Sequence, residues 1–101
     1  MNATTDGPGN EPNIRRNEAE HRYELLVDDE LAAYVEMRGE RGTVELPHTY
    51  TLPAFRGRGL AAQVVNFALD DLSARGQIVV PTCWFVAEYI EAHPEFHHLL
   101  A

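Results

Sequence analysis

The chain has 101 residues, of which 45% are hydrophobic, and a formal net charge of −8. A chain of this size can form one domain around a single core, and its hydrophobic content is that of a globular protein. The negative charge argues against a nucleic-acid-binding face, which needs clustered lysines and arginines, and against binding to an anionic membrane surface.

The N-terminal segment, residues 1–12, is rich in Asn, Gly and Pro, and we predict a disordered tail followed by one domain over residues 13–101. The segment has no apolar stretch of the kind found in secretory signals, and no run in the chain is long enough to span a bilayer. The single cysteine, Cys83, cannot form an intrachain disulfide, which suits a reducing compartment. We therefore expect a cytoplasmic protein without membrane or nucleic-acid partners.

The first half of the domain is predicted to be β-structure. A short edge strand is expected at 13–16, followed by strands at 22–27 and 31–38. Glycines at both ends of residues 39–42 indicate a hairpin turn that leads into a third strand at 43–52. Pro47 lies inside this third strand and indicates a bulge or an edge position.

The second half is predicted to contain two helices separated by a strand. Apolar residues recur at helical spacing over 59–75, and Gly76 provides a stop. Residues 78–81 are fully apolar, as in a buried parallel strand, and a helix at 84–92 ends before Pro94, with Trp84 and Phe85 as expected core anchors. The order predicts an α+β fold of three antiparallel strands, a helix, a parallel strand and a helix.

The turn between the third strand and the first helix is the best candidate for a binding site. Its residues are Arg56, Gly57, Arg58, Gly59, Leu60 and Ala61. The glycines allow close approach of a ligand to the backbone, and the first N–H groups of a helix bind anions such as a pyrophosphate. Residues 46–69 contain no acid, which fits an anion site but also fits a buried strand and helix. The Lys-Ser/Thr ending of an ATP-binding P-loop is absent, and the turn does not follow a first strand as in an NAD-binding fold.

The pattern Arg56-x-x-Gly59-x-Ala61 resembles the acetyl-CoA pyrophosphate motif of the GCN5-related N-acetyltransferase (GNAT) superfamily. Together with His48-Thr49 and Val80-Pro81-Thr82-Cys83, it is similar to a subgroup of very small members. The resemblance implies that backbone amides of residues 56–61 hold the pyrophosphate of acetyl-CoA. It also implies that the backbone of Tyr50, Thr51 and Leu52 pairs with the pantetheine arm. The thioester would then lie near His48 and Cys83, where the third and fourth strands separate.

Two residues are candidates for catalysis. An imidazole titrates near neutral pH, so His48 would serve as the base that deprotonates the acceptor amine, unless it is a packed strand residue. Cys83 precedes a helix, which favours its thiolate, and three roles stay open: a nucleophile, a residue that only lines the pocket, or a small buried hydrophobe. Tyr89 is a weaker candidate for protonating the leaving thiolate, since in many GNAT enzymes a tyrosine of the last helix has that role.

Three functional hypotheses follow. The first is an acetyl-CoA-dependent N-acetyltransferase that acts on a small amine or a protein lysine. The second is a non-catalytic CoA-binding module, and the third is an interaction domain in which the glycine turn is only a connector. A metal site formed by His93, His97 and His98 is not expected, because no cysteine or carboxylate completes a ligand set. The sequence does not indicate an oligomeric state.

Overall fold

Residues 12–101, the part of the chain that the computed structural model describes, form seven strands, two α-helices and two short 3-10 helices. In chain order these are β1 (Asn13–Asn17), β2 (Arg22–Val27), β3 (Glu30–Glu36), β4 (Arg38–Glu40), β5 (Thr43–Glu45), β6 (Thr49–Thr51), a 3-10 helix (Pro53–Phe55), α1 (Leu60–Ala74), β7 (Ile78–Val80), α2 (Trp84–Ala92) and a second 3-10 helix (Pro94–Leu99). The predicted tail lies outside the described residues except for Pro12, so the division into tail and domain stays a prediction. None of the described helices is long and apolar enough to cross a membrane.

The first sheet is antiparallel, with strand order β1-β2-β3-β6. The edge strand predicted at 13–16 is confirmed as β1, which pairs with β2. The strand predicted at 31–38 is β3, and it ends at Glu36 because the chain then enters the short β4 of a second sheet. The residues of β2 and β3 that alternate into the core are Tyr23, Leu25, Val27, Ala33 and Val35. One face of this sheet therefore packs against the helices.

The third strand predicted at 43–52 is wrong as a single element, because it divides between the two sheets. β5 pairs antiparallel with β4 and parallel with β7, whereas β6 pairs with β3. The parallel pairing of the fourth strand is as predicted, but its burial is not: only Val79 is buried and Val80 is exposed. The break falls at Pro47, which has no N–H to donate to a neighbouring strand. Leu46, just before the break, stays bonded to the segment that contains β7. Its N–H donates to the Val80 carbonyl at 3.0 Å, and its carbonyl accepts from the Cys83 N–H at 3.1 Å.

Both predicted α-helices are confirmed. α1 packs against β2, β3 and β6, and α2 packs against α1 and the last 3-10 helix. The expectation that Trp84 is a core anchor is wrong: the residue is 71% exposed, because α2 packs through Val86 and Ile90 instead. The final 3-10 helix was not predicted, and it buries Phe96 and Leu99 against the core.

A polar contact fixes α1 on the first sheet. The Tyr23 hydroxyl donates to Asp71 of α1 at 2.7 Å, and Arg75 donates to the same carboxylate at 2.7 Å. Burial and the hydrogen bond to Asp71 raise the pKa of Tyr23, so its phenol stays neutral at physiological pH. This contact joins the C-terminal part of α1 to β2.

Candidate functional site

The turn at 56–61 brings two glycines to the start of a helix. Gly57 and Gly59 have φ angles of 82° and 72°, in the left-handed region that other residues adopt only at a cost. Gly59 is the N-cap of α1, no described side chain caps this end, and the first turn contains no acid. The N–H groups of the first turn can therefore donate to an anion, which the helix dipole also favours.

Two arginines belong to the turn. The Arg56 Nε donates to the Thr51 carbonyl at 3.2 Å, and its guanidinium carbon lies 5.8 Å from the centre of the Tyr50 ring. The Arg58 guanidinium lies 5.5 Å from the centre of the Phe55 ring. Both arginines are exposed, so their charge adds to the positive potential around the turn, and Arg56 also connects the turn to the end of β6.

Two cavities meet along β6 and form one groove. The first, of about 270 Å³, lies over the turn, and the second, of about 390 Å³, reaches Cys83. Both are lined by Thr51, Ala61 and Phe85, so they adjoin along β6. We call the two cavities together the β6 groove. It leads from the N-terminus of α1 to the N-terminus of α2.

The backbone of β6 offers one edge to this groove. In an antiparallel pair, alternate residues bond to the partner strand and the residues between them face away. His48 accepts from β3 and Leu52 donates to β3, each at 2.8 Å, so the groups of Tyr50 also face β3. The N–H and C=O groups of Thr49 and Thr51 face the free edge. Of the three strand residues predicted to bind the cofactor, only Thr51 has its backbone toward the groove, and Thr49 was not predicted.

Cys83 lies at the far end of the β6 groove, as the N-cap residue of α2. Its thiol donates to the Thr49 hydroxyl at 3.5 Å, and the residue is 9% exposed. Burial by itself would raise the pKa of Cys83, but the Thr49 hydroxyl and backbone N–H groups of β6 and of the first turn of α2 stabilise the thiolate and lower the pKa below its ordinary value. The groove therefore ends on a thiol that ionises more readily than a free cysteine.

A valine substitution at Thr49 tests this environment. The Thr49→Val variant loses the hydroxyl that donates to the thiolate, so the pKa of Cys83 rises and the thiolate forms only at higher pH. We expect the rate of Cys83 alkylation by iodoacetamide at neutral pH to fall severalfold and its pH profile to move to higher pH, because only the thiolate reacts. Thr51→Val makes the same change on the same face and should leave the profile in place. An unchanged profile in Thr49→Val would contradict the assigned role of the hydroxyl.

His48 lies in the break between β5 and β6, and its ring faces away from Thr49. The ring centre is 6.1 Å from those of Tyr34 and Tyr50, and Nδ1 is 3.6 Å from Oε2 of Glu36. Neighbouring residues of an extended strand point to opposite faces, so this ring stands on the sheet face opposite to the Thr49–Cys83 contact. His48 nevertheless lines the cavity that contains Cys83. The structure brings the two predicted catalytic residues to one cavity, without a hydrogen bond between them among the described residues.

Tyr89 lies at a different cavity, between β1 and the two helices. Its hydroxyl donates to Asn66 at 2.8 Å, and its ring stacks on His93 with the centres 3.9 Å apart. Burial raises the pKa of Tyr89. The structure therefore does not bring Tyr89 to Cys83.

The C-terminal histidines make separate contacts. His93 contacts the Tyr89 carbonyl, His97 the Glu91 carbonyl, and His98 the Ser73 hydroxyl. Across residues 12–101, no three His, Cys, Asp or Glu side chains form a group that could hold a metal ion. The three histidines thus contact different partners and do not converge on one point.

Three residues of the groove were missed or misassigned from the sequence. Thr49 was noted only as part of a motif, although strand alternation puts it on the same face as Thr51 and could have indicated its direction. Phe85 and Trp84 were assigned to the core. Phe85 does pack against the core, but both residues also line the cavity that contains Cys83, which was not predicted. Their apolar character gave no signal that distinguishes a cavity wall from a core position.

Comparison with known proteins shows the family of the chain. The family model described as GCN5-related N-acetyl-transferase matches residues 22–99. The curated proteins called Protein NATD1 from Gallus gallus and Homo sapiens are 33% identical over 81 residues, which cover 80% of this chain and 66% and 64% of those proteins. Protein NATD1 from Xenopus tropicalis is 36% identical over 52 residues, which cover 52% of this chain and 48% of that protein. The chain therefore spans about half to two thirds of the length of these relatives.

Solved structures share the fold. A GCN5-like protein from Staphylococcus aureus, solved by NMR, superimposes with a TM-score of 0.67 at 12% identity and covers 88% of this chain and 87% of its own. The ribosomal-protein-S18-alanine N-acetyltransferase of Escherichia coli has a TM-score of 0.60 at 16% identity, over 70% of this chain and 49% of that one. At these identities the likeness extends to the fold alone, and it confirms the predicted small α+β architecture.

Proposed function

The chain belongs to the GCN5-related N-acetyltransferase family, and from this premise we propose that it binds acetyl-CoA in the β6 groove and transfers the acetyl group to an amine. The observation that carries the proposal is that two adjoining cavities extend along β6 from the N-terminus of α1 to the Cys83 thiol. An uncapped helix start without acids suits a pyrophosphate, and a thiol of lowered pKa suits a neighbouring thioester.

The turn and β6 divide the binding between them. Backbone N–H groups at the start of α1 donate to the pyrophosphate, and Arg56 and Arg58 supply additional positive charge. At the free edge of β6, the Thr49 carbonyl and the Thr51 N–H are available to the amides of the pantetheine arm, in the manner of an added strand. The Thr51 carbonyl already accepts from Arg56, and the Thr49 N–H faces the Cys83 sulfur. Phe85, on the shared wall of the two cavities, covers the apolar part of the arm.

Cys83 is the nucleophile in this proposal. Its thiolate attacks the acetyl carbonyl, a new C–S bond forms on Cys83, and the C–S bond to CoA breaks so that CoA leaves as its thiolate. The free N–H groups around the Cys83 sulfur stabilise its anionic form before the attack and after release. The acceptor amine then attacks the acetyl carbon on Cys83, which forms the amide and returns the Cys83 thiolate.

His48 takes the proton that the amine loses in the second step. Glu36 Oε2 lies 3.6 Å from Nδ1 of the imidazole, so in this proposal Nε2, the nitrogen away from Glu36, accepts the proton. The His48 ring stands on the sheet face opposite to the Thr49–Cys83 contact. In this proposal the amine therefore approaches the acetyl group from the His48 side, and CoA leaves on the other side. His48 and Cys83 thus serve different steps and need no contact with each other.

One observation favours a second candidate function, a CoA-binding module without turnover. The His48 ring packs beside Tyr34 and Tyr50, as a purely structural histidine would. The two functions share the binding of acetyl-CoA and differ in the release of free CoA in the presence of an amine. A thiol-release assay with a panel of amines separates them, because the binding module releases none.

A titration with acetyl-CoA tests the shared step. Amide NMR peaks of residues 57–61 and of Thr51 are expected to shift, with ATP as the control nucleotide. A ligand at 100 times its Kd stabilises a protein by about 2.7 kcal/mol, which corresponds to a rise in Tm of about 10 °C or more for a domain of this size. If millimolar acetyl-CoA changes neither the Tm nor these peaks, the proposed function is wrong.

A further inference from the structure

A cavity of about 440 Å³, larger than either part of the β6 groove, shares Pro47 with that groove. It lies where the β1–β2 turn approaches the end of β3 and the start of β4. The steps described above make no use of it. We call it the Pro47 cavity.

The walls of the Pro47 cavity combine negative charge with an apolar surface. Glu20 and Glu36 line it, and Met37 and Pro47 add apolar atoms. Arg38 also lines it, but its Nε donates to Glu45 at 3.0 Å, so a carboxylate outside the cavity balances its charge. The side chain of Glu36 is 46% exposed, so its carboxylate is accessible to a ligand while it stays beside His48. The cavity therefore suits a cation with an aliphatic stem.

Glu36 and His48 connect this cavity to the groove. Glu36 lines the Pro47 cavity, His48 lines the Cys83 end of the β6 groove, and their side chains are 3.6 Å apart. A molecule in the Pro47 cavity therefore has one end next to the imidazole that the proposed reaction uses as its base. The volume of the Pro47 cavity is in the usual range for a small-molecule site, about 300–1,000 Å³.

We propose that the Pro47 cavity is the acceptor subsite and that it takes an aliphatic polyamine. This inference rests on the proposed function for the reaction but not for the binding. Glu20 and Glu36 hold one ammonium group, and the methylene chain lies on Met37 and Pro47. The other end of the polyamine reaches past Pro47 to His48, where the neutral amine takes the acetyl group. The net charge of −8 attracts such a cation from solution.

Spermidine binding to the full chain without acetyl-CoA tests the subsite, with butylamine as a probe that has one ammonium group. At low ionic strength we expect spermidine to shift the amide peaks of Met37 and Gly39 and to bind at least about fivefold more tightly than butylamine. The double variant Glu20→Gln, Glu36→Gln is expected to lose most of this difference. The matched control is Glu88→Gln with Glu91→Gln, which changes the net charge by the same amount at exposed positions of α2. This control should keep the difference in affinity between spermidine and butylamine.

Three results would overturn the inference: no peak shifts with millimolar spermidine, equal binding of the two amines, or equal effects of the two double variants. The last result would mean that spermidine follows net charge alone. Because these titrations contain no acetyl-CoA, their outcome is separate from the peak shifts of residues 57–61 that test the proposed function. In the presence of acetyl-CoA, wild-type protein should acetylate spermidine with a higher kcat/KM than butylamine.

Discussion

Replacing Gly59 by alanine is expected to weaken acetyl-CoA binding at least about tenfold, while the free energy of unfolding falls by only about 1–2 kcal/mol. The loss of stability comes from the φ angle of 72°, which alanine adopts at a cost. The loss of affinity has a different cause. A Cβ built on Gly59 meets no protein atom within 4 Å, and the residue lines the cavity over the turn, so the new methyl group occupies space that the proposed pyrophosphate needs.

Gly76 provides a matched control on the same helix. Its φ angle is 71°, and a Cβ built on it also meets nothing within 4 Å, but it lies after the C-terminal end of α1 and away from the groove. Gly76→Ala should therefore lower the free energy of unfolding by a similar amount and leave acetyl-CoA affinity unchanged. Isothermal titration for affinity and urea unfolding for stability measure the two effects separately. Equal affinities of the two variants would mean that the turn is only a connector.

Local signals in the sequence account for the parts of the fold that were predicted correctly. The helix at 84–92 and the helix that starts after Gly59 depend on apolar spacing and on stop residues within a few positions. The division of residues 43–52 between two sheets was missed because it depends on distant partners, β3 on one side and β7 on the other. Pro47 indicated where the predicted strand is irregular. It could not indicate that the residues before it and the residues after it join different sheets.

The candidate site shows the same limit at the scale of single residues. The turn at 56–61 was recognisable because its glycines and the helix start are contiguous in sequence. His48 and Thr49 are adjacent in sequence, yet a step of one residue along a strand reverses the face, so only Thr49 contacts Cys83. Trp84 was assigned to the core as an anchor of the last helix, but α2 packs through Val86 and Ile90 and leaves Trp84 71% exposed, which is a tertiary feature.

Cys83→Ala is expected to abolish transfer of the acetyl group to the protein and to lower kcat at least about 100-fold, because the nucleophile is lost. Incubation with acetyl-CoA followed by intact-mass measurement should show one acetyl group on the wild-type chain and none on the variant. Cys83→Ser keeps the shape of the side chain but has no readily ionised thiol, and it should behave like the alanine variant. Both variants should retain acetyl-CoA-dependent peak shifts at residues 57–61, because the turn that binds the pyrophosphate is intact.

The pH dependence of the reaction separates a nucleophile from a residue that only lines the groove. If the Cys83 thiolate attacks, formation of the acetylated protein rises as the pH passes through the lowered pKa of Cys83, so the reaction persists at a lower pH than an ordinary thiol would allow. Thr49→Val should move this rise to higher pH in the same direction as its alkylation profile. Full turnover by Cys83→Ala would remove Cys83 from the chemistry. In that case the amine would attack the thioester directly, with His48 as the remaining base beside the groove.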